Sequence, residues 1–118
     1  MGVTFDQNAK RSEAIFVPFF SEIASTSSGL ARLAALTGAP VLPVFIVRLP
    51  AKRTHRIEIQ NEIAMQRTGD TAVDIEENTR RLTKAIEDVA RRFPEQFLWT
   101  HRRYRTRPIR GMPSVYGA

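Results

Sequence analysis

Residues 74–93, DIEENTRRLTKAIEDVARRF, constrain this chain more than any other stretch. Apolar or small side chains recur at Ile75, Thr79, Leu82, Ile86, Val89 or Ala90, and Phe93. That spacing draws one stripe along a helix. Acids come early and arginines late, as the helix dipole prefers. Four acid-first pairs, Glu76–Arg80, Glu77–Arg81, Glu87–Arg91 and Asp88–Arg92, stand at i,i+4. Each adds about 0.2–0.5 kcal/mol at most. Pro94 ends the helix, and PEQFLW (94–99) makes one more short turn. A helix with a single apolar stripe needs a platform to cover it, and the remaining segments read as strands.

PVLPVFIVRL (40–49) is a continuous β-branched and aromatic run. Such runs suit a strand covered on both faces, as in parallel α/β sheets. PAKRT (50–54) turns the chain, and HRIEIQ (55–60) alternates like a half-exposed strand. AIFVPFF (14–20) holds Pro18, which restricts it to an edge strand or a buried extended loop. SEIASTSSG (21–29) reads as a hydroxyl-rich turn in which Thr26, Ser27 or Ser28 caps a helix over 29–37. On that helix Leu30, Leu33, Ala34, Leu36 and Thr37 cover one side, and Gly38 suits the left-handed position that closes many helices. GVTF (2–5) is a β-type run that stops at the polar loop DQNAKRSE. The chain thus begins almost inside a strand, and the expectation is that an upstream part is missing. Strand, helix, strand, strand, helix predicts an α/β fold with helices on the sheet.

The 118 residues are enough for one domain or part of one. There is no cysteine, so disulfides and thiolate metal sites are excluded. No stretch approaches the ~20 apolar residues of a membrane span, and the first residues lack the pattern of a signal peptide. The net charge is +6, and its placement matters more than its size. Residues 99–118 hold five of the 18 basic side chains and none of the 12 acidic ones. The body is nearly neutral, and the basicity belongs to the tail, WTHRRYRTRP and its continuation. That points to a local anion site rather than a polyanion-coating surface. No helix-turn-helix, zinc-finger or RNP pattern is present, which argues against nucleic acid as a partner.

Catalysis needs a nucleophile or a base. His55 opens an outer strand, and exposure or a structural role competes there with catalysis. His101 lies among arginines, where structural hydrogen bonding and catalysis are both open. Two histidines with no carboxylate at ligand spacing make no metal site. Asp6 and Gln7 follow a β-run, where active groups of α/β folds gather; the competing reading is that Asp6 closes a turn. STSSG can cap a helix or weakly attract an anion, but it lacks the lysine and glycines of a phosphate loop. Arg102, Arg103, Arg105 and Arg107 are dense for a solvated end. Their forked guanidinium groups suit phosphate and carboxylate.

Taken in order, DQNAKRSEAIFVPFF, STSSGLARLAALTGAPVLPVFIVR and TGDTAVDIEENTRRLTKAIEDVARRFPEQFLWTHRRYRTRP resemble the bacterial lipid A biosynthesis acyltransferases. These are the lauroyl or myristoyl (late) enzymes of the lysophospholipid acyltransferase superfamily. The closing PEQFLWTHRRYRTRP is the most specific part. The resemblance implies part of a glycerolipid-acyltransferase-like mixed sheet flanked by helices. Residues 1–98 would be the C-terminal part of the acyltransferase domain and 99–118 a basic arginine-rich tail. It implies transfer of a fatty acyl group from acyl carrier protein or a CoA thioester to a lipid A precursor or similar phosphorylated lipid. The setting is the cytoplasmic face of the inner membrane, and no cofactor is involved.

Asp6 maps onto the acid of the family's D-Q motif, in a supporting role. Gln7, Arg102, Arg103, Arg105 and Arg107 would meet the substrate or the anionic membrane surface. The family's His-x4-Asp motif is absent: Gln60 follows His55, and Thr106 follows His101, at the place of the acid. The chain therefore reads as a C-terminal half, inactive alone. The alternative is a non-catalytic basic module that binds anionic lipid or acyl carrier protein. Ser21 stands where the family commonly has glycine, which bears on a tight turn.

Overall fold

The computed structural model describes residues 1–117. Its elements are β1 (Ala14–Phe19), β2 (Glu22–Ser27), α1 (Gly29–Thr37), β3 (Val44–Leu49), β4 (Thr54–Ile59) and α2 (Thr71–Arg92). Single 3-10 turns lie at Arg11–Glu13, Pro50–Lys52 and Pro94–Gln96. The chain is α/β. Its strands form two antiparallel pairs, β1 with β2 and β3 with β4.

The first hairpin corrects the reading of residues 21–29 as a turn. β1 pairs with β2 from Ala14 opposite Ser27 to Phe19 opposite Glu22. The hydroxyl-rich segment is a strand because its hydroxyls have partners inside the protein. Ser25 Oγ donates to Ala9 O at 2.9 Å, and Thr26 Oγ1 accepts from Arg103 at 2.6 Å. Pro18 is tolerated because a two-stranded sheet has only edges.

The turn itself is just Phe20 and Ser21, with Phe20 at φ 55°. A bulky side chain there costs on the order of 1–3 kcal/mol. Its surroundings hold it: Phe20 N–H donates to Glu87 Oε2 at 3.0 Å, and the Arg91 guanidinium lies 4.6 Å from its ring centre. Because the left-handed residue is Phe20, Ser21 meets no requirement for glycine.

α1 has the expected bounds, and Gly38 closes it at φ 67° with its N–H on Ala34 O. Ser28 is the cap residue, yet its hydroxyl turns to Glu13 O and Arg32 instead of capping. The buried face is Ala31 and Ala34; Leu36, expected on the covered side, stands 86% exposed, and Thr37 is exposed with it.

α2 starts at Thr71, three residues earlier than the periodicity suggested, because Asp70 caps it by accepting from Val73 N–H. Its buried side is broader and more polar than the apolar stripe. Asp74, Asn78, Thr79, Thr83 and Glu87 are buried beside Ile75, Leu82 and Ala90. Each has partners. Thr79 and Thr83 bond back to the carbonyls four residues earlier. Asn78 brackets the backbone of Gln66, and Asp74 accepts from Thr68 and Gln66. Of the four expected ion pairs, Glu77–Arg81 and Glu87–Arg91 form. Arg80 turns to Glu77, Asp88 pairs with Lys84, and Arg92 reaches Glu58.

The expectation of a strand covered on both faces fails at β3. Val44 and Ile46 lie opposite Ile59 and Ile57, and all four are 56–70% exposed. Phe45 and Val47 face inward. The alternation of β4 is inverted, with its isoleucines outward, because Glu58 is held inward by Arg92 at 2.9 and 3.1 Å. Residues 2–5 form no strand; Phe5 packs instead on the core of Ala31, Ile75 and Leu82.

The α2 carboxylates make stability depend on acid. Arg80 and Arg81 hold the Glu77 carboxyl down at about 2. Burial pushes Glu87 and Asp74 up, but the Arg91 bond at Glu87, and the Thr68 and Gln66 bonds at Asp74, hold both below the ordinary range. Groups lowered in the folded state stabilise it above their unfolded pKa and lose that contribution as pH falls through the folded value. The urea midpoint is therefore expected to fall between roughly pH 4.5 and 2, and Glu77→Gln is expected to flatten that limb. An equal acid slope in wild type and variant refutes the assignment.

Candidate active site and anion cleft

Asp6 sits on a segment without secondary structure, and both it and Gln7 are exposed. Asp6 lies at the rim of an open apolar groove of about 480 Å³. One wall is residues 3–6, another is residues 41–47, and the floor is α2 through Leu82, Ile86, Val89 and Phe93. The groove exists because β3 presents Phe45 and Val47 to a helix face that is apolar along this part of its length.

The residues just after Asp6 and Gln7 are tied down from the far end of the chain. Asn8 N–H donates to His101 Nε2 at 2.9 Å, so that nitrogen carries a lone pair and the ring proton is on Nδ1. Asn8 Nδ2 donates to Thr106 Oγ1, and Asn8 Oδ1 accepts from Thr106 N–H, both at 3.1 Å. Ala9 N–H donates to Ser25 O at 3.1 Å. His55, by contrast, is exposed on β4 and has no part in this cluster.

The four tail arginines divide into two kinds. Arg103 is only 4% exposed. Its Nη1 and Nη2 donate to Ser25 O and Thr26 Oγ1, each at 2.6 Å, and its Cζ lies 5.2 Å from the Phe19 ring centre. Burial lowers its pKa, yet a guanidinium stays charged. Arg107 is also turned inward, bonding Glu22 at 3.2 Å, while its Nε and Nη1 are buried with no partner among the described residues.

Arg102 and Arg105 are exposed, and with Asn8, Thr100 and His101 they line an open polar cleft. The tail between them is pinned by Tyr104, whose hydroxyl donates to Phe19 O at 2.7 Å; burial raises that phenol's pKa. Arg11 adds a further tie, donating to the carbonyls of Arg107 and Pro108.

The structure thus brings Asp6, Gln7 and the tail onto connected ground, with an apolar groove on one side and a cationic cleft on the other. Sequence reasoning missed Asn8, Ser25 and Thr26 as the connectors. The available signal was an amide directly after the D-Q pair and a run of hydroxyls too long for one helix cap. Among the described residues no three His, Asp or Glu side chains converge on a metal-sized site, and no helix is long and apolar enough to cross a membrane.

An α/β chain with a carboxylate at the mouth of an apolar groove, next to a cationic cleft, has the makings of a site for an anionic amphiphile. The comparisons identify the family. A family model described as bacterial lipid A biosynthesis acyltransferase matches residues 1–106, and the chain belongs to that family. The lipid A biosynthesis palmitoleoyltransferase of Escherichia coli K12 is 37% identical over 112 residues, 94% of this chain and 35% of that protein. The lipid A biosynthesis lauroyltransferase of the same organism is 33% identical over 105 residues, 87% of this chain and 32% of that protein. A lipid A biosynthesis acyltransferase of Haemophilus influenzae is 31% identical over 102 residues. The chain spans about a third of the length of these curated relatives. No solved structure matches it significantly.

The burial contrast sets a mutational expectation. Arg103→Ala leaves Thr26 Oγ1 without its donor, leaves Ser25 O with Ala9 N–H alone, and should lower unfolding free energy by about 2–4 kcal/mol. Arg102→Ala, on the exposed side, should change it by no more than ~0.5 kcal/mol. Urea unfolding followed by Trp99 fluorescence measures both, and equal effects refute the division.

Proposed function

We propose that this chain is the acceptor-facing part of an O-acyltransferase of lipid A biosynthesis. The reaction is transfer of a fatty acyl group from acyl carrier protein or a CoA thioester to a hydroxyl of a phosphorylated glycolipid. Its place is the cytoplasmic face of the inner membrane. The observation that carries this reading is the family match over residues 1–106 together with Asp6 at the mouth of an apolar groove. The groove suits a hydrocarbon chain. In the cleft, Arg102 and Arg105 supply forked donors for phosphate, and Gln7 adds a neutral one beside Asp6. Residues 1–98 then provide the groove and the acid, and 99–118 the headgroup contacts.

Arg103 and Arg107 act in this scheme from beneath. Arg103 fixes the tail on β2. Arg107 brings two buried nitrogens, Nε and Nη1, with no partner among the described residues, and a phosphate oxygen is an acceptor that suits them.

The chemistry requires a base to take the acceptor's hydroxyl proton as its oxygen attacks the thioester carbonyl. The carbon–sulfur bond then breaks, and the thiolate takes the proton. Neither histidine here is arranged for that step, since His101 Nε2 is occupied by Asn8 N–H and His55 has no carboxylate partner. The family resemblance gives Asp6 a supporting role, with the base supplied by another group. Without a base the chain alone is expected to transfer nothing, and this same fact favours a second reading, a module that binds anionic lipid or acyl carrier protein.

Two experiments separate the readings. In an acyl-transfer assay on a family member of full length carrying this segment, the Asp6→Asn change is expected to lower kcat about 10–100-fold with little change in KM. Unchanged turnover removes Asp6 from the mechanism and favours the binding module. Binding of this chain to vesicles bearing a phosphorylated glycolipid is expected to weaken with salt and to fall about 10-fold in Arg102→Gln/Arg105→Gln. Binding that survives both treatments places the headgroup contacts elsewhere.

A further inference from the structure

Asp6 and Gln7 have no regular structure to hold them, and both are exposed. What fixes their position arrives from more than 90 residues away. The Asn8 backbone N–H ends on His101 Nε2 at 2.9 Å. The Asn8 carboxamide is used on both sides, since it donates to Thr106 Oγ1 and accepts from Thr106 N–H. Thr106 Oγ1 in turn donates to Ala9 O at 3.3 Å, and Ala9 N–H reaches Ser25 O on β2. Ser25 O is the same atom that Arg103 Nη1 grips. A continuous hydrogen-bonded path therefore runs from the first hairpin through the tail to the residue after Gln7.

We propose that His101 and Asn8 are positioning residues for the Asp6–Gln7 pair, with the neutral His101 ring acting as a latch on the Asn8 backbone. This deepens the reading of Asp6 given above and rests on it. The latch needs an acceptor at the Nε2 position, so a ring proton at Nδ1 is part of the device. It also separates His101 from the catalytic base: its free lone pair is engaged 2.9 Å from a backbone donor while the latch is closed. The bracket on Thr106 makes the latch two-sided, because Asn8 then resists rotation as well as displacement. The expected consequence is a carboxylate whose direction is set by the tail and not by its own short loop.

The test uses the whole chain and needs no acyl transfer. Ring nitrogen NMR on the wild type is expected to show His101 Nε2 as an unprotonated, hydrogen-bonded nitrogen. Amide hydrogen exchange is then compared in wild type, His101→Gln and His101→Phe, with the α2 amides as internal reference. Phenylalanine keeps a ring and removes the acceptor; glutamine returns an oxygen acceptor near the same place. His101→Phe is expected to speed exchange at Asn8 by about 10-fold or more relative to α2 and to move the Asp6 carboxyl resonance, while His101→Gln retains most of the protection.

Where His101→Phe proves unfolded by circular dichroism, Asn8→Ala decides. It leaves the backbone donor in place, and faster exchange at the Thr106 amide together with a moved Asp6 resonance supports the latch. Unchanged Asn8 exchange in His101→Phe overturns it. So does an Asp6 resonance that stays put in Asn8→Ala, or equal exchange in the glutamine and phenylalanine variants. Because none of these readouts involves chemistry on a substrate, a failure of the latch and an inert Asp6→Asn are distinguishable results.

Discussion

The structure depends most on one buried guanidinium. Arg103 joins the tail to β2 with two 2.6 Å bonds, while its flat face rests near Phe19. A charge in that position is costly unless every donor direction is useful. Here the carbonyl and hydroxyl it meets belong to consecutive residues of one strand, a geometry that a forked cation matches and an ammonium does not. The same contact explains why Ser25 and Thr26 are strand residues. Ser25 O and Thr26 Oγ1 meet Arg103 and the Ser25 hydroxyl meets Ala9 O, so their partners lie within the protein and not in water. Without Arg103, the tail loses its two bonds to β2, and the segment that the tail holds at Asn8 loses support with it.

A second layer of buried polar contacts does for α2 what Arg103 does for the tail. Asn78 and Asp74 tie down residues 66–68 before the helix begins its apolar course, and Glu87 receives the strained Phe20 turn. Such groups contribute little net stability when satisfied and cost much when orphaned. Their effect is on register: α2 can sit in only one rotational setting against β1 and α1, and that setting leaves Leu82, Ile86 and Val89 facing the groove.

These polar contacts mark the boundary of what was legible from the residues alone. The existence of α2, its end at Pro94, the exact span of α1 and the left-handed Gly38 followed from periodicity and local chemistry. β2 did not, because a run of serine and threonine is ambiguous until the partner 77 residues away is known. The inverted faces of β4 escaped for the same reason. HRIEIQ alternates as a half-exposed strand should, but Ile57 and Ile59 face outward and Arg92 on α2 holds Glu58 inward. In the site, Asp6 and the arginine density were visible in the sequence. The separation of Arg103 and Arg107 from Arg102 and Arg105 was not, since four similar side chains differ only in which way the folded backbone aims them.

That separation changes what the tail can mean. Had all four arginines been exposed, their repulsion would favour an extended end, and any polyanion would satisfy them. With Arg103 held by a carbonyl and a hydroxyl within the fold and Arg107 facing Glu22, Arg102 and Arg105 are the two of the four left exposed beside His101 and Asn8. A pair of that kind discriminates by geometry as well as by charge, since each forked guanidinium offers parallel donors. The apolar groove lies beyond the same Asp6–Asn8 segment. A molecule engaging both features must therefore be anionic at one end and hydrocarbon at the other, and the segment that His101 holds stands between the two.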